Sequence, residues 1–114
     1  MEAIYNIKNS EYKKALKNNP HLKLMLDTSH AMEESKDEAR ELVKLFKDKI
    51  IYTHLSCNTD YKIHQPLHLV DKKFLRQISA VKRLKTPVVI ETWTNSRDIS
   101  VMKKEVNFVK RWLK

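Results

Sequence analysis

Three short apolar runs punctuate the chain, and each ends on a side chain that can bind a cation. Leu22, Leu24, Met25 and Leu26 lead into Asp27 and, a turn later, His30. Ile50, Ile51 and Tyr52 lead into His54, and Val88, Val89 and Ile90 lead into Glu91. Runs this apolar exceed what a half-solvated strand carries and suit strands buried on both faces. The pattern predicts strands over residues 22–27, 49–55 and 87–91.

Between the runs the apolar spacing changes to that of helices. Ala39, Leu42, Val43 and Phe46 fall at i, i+3, i+4 and i+7, which predicts a helix over residues 34–49 with one apolar stripe. Ser10 is placed to cap an earlier helix reaching about residue 17, with Tyr12, Ala15 and Leu16 inward, and Asn18-Asn19-Pro20 stops it. Asp71 caps a helix carrying Phe74, Leu75, Ile78 and Val81 inward, ended by Thr86-Pro87. Asp98 caps a last helix with Met102, Val106, Val109 and Leu113 on one face. Residues 56–70 read as a loop holding Asp60, His64, Pro66 and His68, and residues 1–7 as the ragged end of an extended segment. Buried strands alternating with amphipathic helices define an α/β fold, with parallel pairing and right-handed crossovers.

Composition narrows the reading. A chain of 114 residues with 41% hydrophobic and 32% charged residues fits one ordinary folded domain. No apolar run approaches the roughly 20 residues of a transmembrane helix, and the first residues lack a secretory pattern. Cys57 is the single cysteine, so no internal disulfide forms and a cytoplasmic setting is expected. Glycine is absent, which excludes P-loop and dinucleotide fingerprints. The net charge of +9 invites a nucleic-acid partner, yet the lysines are dispersed over the chain rather than gathered in one block, as solvated helix faces would have them.

In parallel α/β folds chemistry gathers at the carboxyl ends of the strands. Asp27, His30, His54 and Glu91 would all lie there. Carboxylate oxygens and imidazole nitrogens from neighbouring strands make a divalent site suited to Zn, Mn, Co or Mg.

Asp27-Thr28-Ser29-His30-Ala31, His54-Leu55-Ser56, His64-Gln65-Pro66-Leu67 and Val89-Ile90-Glu91-Thr92, in this order, resemble the last part of the xylose isomerase-like TIM barrels. That superfamily includes sugar isomerases and epimerases and the endonuclease IV type of DNA repair enzymes. The resemblance runs from about Asn9 to Lys114 and implies parallel β/α units forming the C-terminal part of a TIM barrel, with residues 1–114 as a single partial domain of about three units. It implies metal ligation by Asp27, His54 and Glu91, with His30 as a further ligand or a substrate-hydroxyl contact. His64 falls near a second metal-binding histidine of the endonucleases. Glu91 and His30 are the implied catalytic residues.

The implied activity is that of a metal-dependent sugar isomerase or epimerase acting on a sugar or sugar phosphate. The alternatives are an endonuclease IV-type phosphodiesterase acting on abasic DNA, and a non-catalytic barrel fragment or interaction module. The chain departs from the endonuclease pattern at Lys62, where that family places an aspartate, and at Leu67–Val70, where it places glycines. Cys57 stands where an aspartate is common. The family's upstream glutamate would fall near Tyr5 or Glu2, and neither fits. A whole barrel takes about 250 residues and eight strands, so a partner half-barrel or self-association is expected, with no membrane partner.

Overall fold

The structure is a computed structural model, and it describes residues 9–92 and 98–114. Three strands form one parallel sheet in the order β1 (Leu24–Asp27), β2 (Ile50–Leu55), β3 (Val88–Ile90). All three expected strands are present, each trimmed by a residue or two: Leu22, Lys23, Lys49, Pro87 and Glu91 lie just outside the strands. The strand order follows the chain without reversal, so each connection steps the sheet in the same direction.

The two faces of the sheet differ. Leu24, Leu26, Ile50, Leu55, Val88 and Ile90 belong to the main core with the helices. Met25, Tyr52 and Val89 stand outside that core, and Val89 is 48% exposed. Asp27 pairs in register with His54, and His54 with Val89. Side chains alternate along a strand, so Glu91, two residues beyond Val89, projects to the same side as His54.

The helices depart from expectation in three places. The helix predicted over 34–49 is α3 (Glu38–Phe46) alone, preceded by a separate α2 (Thr28–Glu34) that starts directly at the end of β1. Ser35 marks the break. Ser35 is fully extended, its hydroxyl accepts from the Asp37 N–H (3.3 Å) and its carbonyl from the Glu38 N–H (3.3 Å). These bonds compete with the helical ladder. The stripe Ala39, Leu42, Val43 and Phe46 is buried as expected.

The helix capped by Asp71 is short. In α4 (Lys72–Arg76) the Asp71 carboxylate accepts from the Lys73 N–H at 3.1 Å, and a 3-10 stretch, Ser79–Arg83, follows. Leu75, Ile78, Val81 and Leu84 are buried at a spacing of three, the period of a 3-10 helix rather than an α-helix. Lys85 then takes a left-handed φ of 54° before Pro87, a position glycine usually fills. The residues expected as one loop hold a second 3-10 turn, Leu67–Leu69.

The first helix is α1 (Asn9–Asn18), so Ser10 lies inside it. The last is α5 (Ile99–Trp112), capped by Asp98 through the Ser100 N–H (2.9 Å). Of its expected inner face, Val109 is buried, Leu113 packs on the core and Val106 is half-buried, whereas Met102 is 39% exposed. Glu105 is buried too, and Phe108 and Trp112 pack on the core, so the buried face is wider than expected and turned away from Met102. The Glu105 carboxylate accepts from the Leu67 N–H (2.7 Å), the His68 N–H (3.1 Å) and His68 Nδ1 (2.9 Å). Those donors satisfy its oxygens in the core and strap α5 to the Leu67–Leu69 turn. Residues 1–7, expected to be extended, and residues 93–97 lie outside the described residues.

Glu38 shows the opposite situation. It is buried, and its Oε1 has no hydrogen-bond partner among the described residues. Burial, with repulsion from Glu34 and Glu41, pushes its carboxyl above the usual range. A raised folded pKa means that stability is largest at acid pH and falls as pH rises past the unfolded carboxylate value of about 4.3. Glu38→Gln is therefore expected to stabilise the fold by about 0.5–1 kcal/mol at pH 7 and to have little effect below pH 4, read as unfolding midpoints in urea.

Candidate metal centre

Apolar strand interiors end where the chain must leave the sheet, and the polar residues there lie at the open edge. Asp27, His54 and Glu91 occupy those positions on β1, on β2 and just after β3. One ligand atom from each lies within 4.8 Å of the others. The Glu91 N–H donates to the Leu55 carbonyl (3.0 Å), which extends the ladder one residue and fixes the Glu91 backbone beside β2.

Asp27 has two duties. Its Oδ1 accepts from the His30 N–H (3.0 Å) and caps α2, while Oδ2 lies 3.3 Å from His30 Nδ1. His54 Nδ1 lies 2.5 Å from Glu91 Oε2, a charge-assisted contact that fixes the ring and the carboxylate together. Tyr52 packs beside His54 with ring centres 5.5 Å apart. The side chains grade from buried to open: Asp27 is 4% exposed, His54 29% and Glu91 44%. A ligand would meet Glu91 first and Asp27 last.

Two carboxylates and an imidazole are a hard-to-borderline donor set. A spread of 4.8 Å is slightly wider than ligand atoms about 2.0–2.2 Å from one ion allow. The donor set suits a divalent cation, and the three side chains would have to draw slightly closer to share one.

The other two predicted site residues stand beside this triad. His30 is the first side chain out on α2, against Asp27. His64 is buried, with a left-handed φ of 53°, and its Nδ1 lies 3.0 Å from Ser56 Oγ. Its ring meets that of His30 edge-on at 6.0 Å. The structure thus brings His64 to His30 and Ser56 rather than into the triad.

A polar buckle that sequence reasoning did not identify holds these strand ends in place. Thr28 Oγ1 donates to the Ser56 carbonyl (2.5 Å) and accepts from the Ser56 N–H (3.1 Å). Ser29 Oγ donates to Asn58 Oδ1 (2.6 Å), and Asn58 Nδ2 returns a bond to the Ser29 carbonyl (2.9 Å). The His64 N–H also donates to Asn58 Oδ1 (3.1 Å), and Cys57 pairs with Gln65 in an antiparallel bridge. These residues were visible as polar side chains next to strand ends, but nothing in their spacing marks them as partners.

Comparison with protein-family models, curated proteins and solved structures finds no match for this chain. No helix among the described residues is long and apolar enough to cross a membrane.

Cys57 lies next to the buckle and is fully buried, away from the triad. Burial, reinforced by the Glu105 charge and partly opposed by a backbone contact at Asn58, pushes its thiol up to about 12. The reactive thiolate is therefore scarce at neutral pH. A raised folded value favours the folded thiol fully below the unfolded value of about 8.5 and loses that contribution as pH climbs toward 12. At pH 8 the native chain is expected to react with a disulfide-exchange reagent at least ~100-fold more slowly than the same chain in guanidinium. Comparable rates in the two solutions would contradict this burial.

Proposed function

We propose that this chain is the C-terminal part of a xylose isomerase-like TIM barrel and a metal-dependent domain of the sugar isomerase or epimerase type. Asp27, His54 and Glu91 hold the divalent cation, Zn, Mn, Co or Mg. The convergence of three successive strand ends on one point carries this reading. The sequential parallel order of the sheet and the family-like motifs support it.

A bound cation would draw the adjacent hydroxyl and carbonyl oxygens of a sugar together and polarise the carbonyl. The chain's own groups would do the rest. Asp27, buried and already oriented by the α2 amide, is a rigid anchor. His54 holds Glu91 toward the open side. Glu91 takes or returns the proton on the carbon next to the carbonyl, and His30, steadied by Asp27, contacts a substrate hydroxyl. The phosphodiesterase reading requires clustered ions, and the pairing of His64 with Ser56 and the position of Lys62 count against it. The sheet has three strands, so the reading also requires a second half-barrel, from a partner or from another copy of the chain.

Titration with zinc or manganese at pH 7.5, followed by calorimetry and by thermal unfolding, tests the site. One ion per chain is expected to raise the unfolding temperature, and His54→Ala and Asp27→Ala should each weaken binding by about 10–100-fold. Equal binding by all three chains, or none at millimolar metal, would remove the basis for the proposal.

A further inference from the structure

On the helical layer, the start of α3 with the residues just before it, and the end of α4 with the 3-10 stretch after it, leave between them a cleft of about 300 Å³. Its lining carries Lys36, Arg40, Arg76 and Arg83 against one carboxylate, Asp37. That carboxylate is already engaged, its Oδ1 accepting from Arg40 Nη2 at 2.9 Å. Lys36, Arg76 and Arg83 form no ion pair among the described residues. The lining therefore holds an excess of three positive charges.

Such an arrangement is unfavourable for the fold alone, because like charges face one concavity with a single carboxylate, Asp37, to offset four cations. It is favourable for an anion that several of them can share. Guanidinium groups match phosphate oxygens with two parallel hydrogen bonds each, which an ammonium cannot do. Three of the four cations here are arginines, although lysine dominates the rest of the chain. The size is at the small end of ligand pockets, roughly 300–1,000 Å³, and suits a phosphoryl or diphosphoryl group.

We propose that this cleft binds the phosphate groups of a phosphorylated small molecule, a diphosphate above all. The site is separate from the metal centre and shares none of Asp27, His54 or Glu91 with it. A nucleic-acid backbone would call for a stripe of charge across the surface, whereas this charge is gathered in one hollow between two elements.

The probe is inorganic pyrophosphate, titrated calorimetrically into the full chain at low salt with EDTA present, so that binding through a divalent ion cannot contribute. One pyrophosphate per chain is expected. The double variant Arg76→Gln/Arg83→Gln should lose about 10-fold or more in affinity, since it removes two charge-assisted contacts. Lys36→Gln should lose less. Lys103→Gln/Lys104→Gln, on the exposed side of α5, should bind like the parent. The four cations are exposed, and circular dichroism checks that each variant retains its helices. Absence of binding at millimolar pyrophosphate would overturn the proposal. So would an equal loss in the α5 variant, which would mean diffuse attraction to a basic protein. Tighter binding of a single-stranded oligonucleotide that displaces pyrophosphate would overturn the small-molecule assignment in favour of nucleic acid.

Discussion

The Asp27 carboxylate is where the backbone and the candidate chemistry meet. Burying a carboxylate is costly unless hydrogen bonds or charge compensate it. At Asp27 one oxygen is compensated by the first turn of α2, and the other faces His30 and the triad. The cap ties the end of β1 to the start of α2 and so fixes where His30 emerges. It leaves the second oxygen beside His30 Nδ1, with His54 as the neighbour of Asp27 in the sheet register. Cap and ligand are usually competing accounts of an aspartate after a strand. Here the two are compatible, because a carboxylate has two oxygens and the turn uses one of them.

The absence of glycine shapes the rest of the site. Loops that approach strand ends closely usually rely on glycine for left-handed turns. In this chain His64 takes the left-handed position in the loop after β2. A non-glycine residue there costs about 1 kcal/mol or more, and the surroundings offset it: the His64 amide bonds Asn58, and its ring bonds Ser56. The same bonds that make the turn tolerable draw the imidazole away from Glu91 toward His30.

What could be read from the sequence follows from which forces are local. The three strands and the triad were legible because a buried parallel strand is a contiguous apolar run, and its last polar residue must face the edge. The stripe of α3 was legible for the same reason at helical period. The breaks at Ser35 and Ser79 were not, since a serine inside a helical pattern breaks it only when its hydroxyl finds a backbone partner; Ser79 Oγ does so at the Arg76 carbonyl, 3.0 Å away. Glu105 was hidden because a charged helix residue ordinarily faces water. Its position four residues before Val109, on the same stripe, was the available signal. The Arg76 and Arg83 pairing with Lys36 and Arg40 depends on how α3 packs across the chain, which no spacing encodes.

The sheet sets the limit on what this chain does alone. Parallel strands are normally covered on both faces, and here the helices build their core against one of them. The other face carries Met25, Tyr52 and Val89 together with the triad, and it becomes more open from β1 toward β3. The donors follow the same gradient, from buried Asp27 to half-open Glu91. A carboxylate on the open side is well placed to meet a ligand, but it is also hydrated, and hydration weakens its pull on a cation. Under the barrel reading, the missing strands would do more than add ligands. By covering Val89 and Glu91 they would exclude water from the triad, and the electrostatic contacts already formed there would strengthen in the drier site.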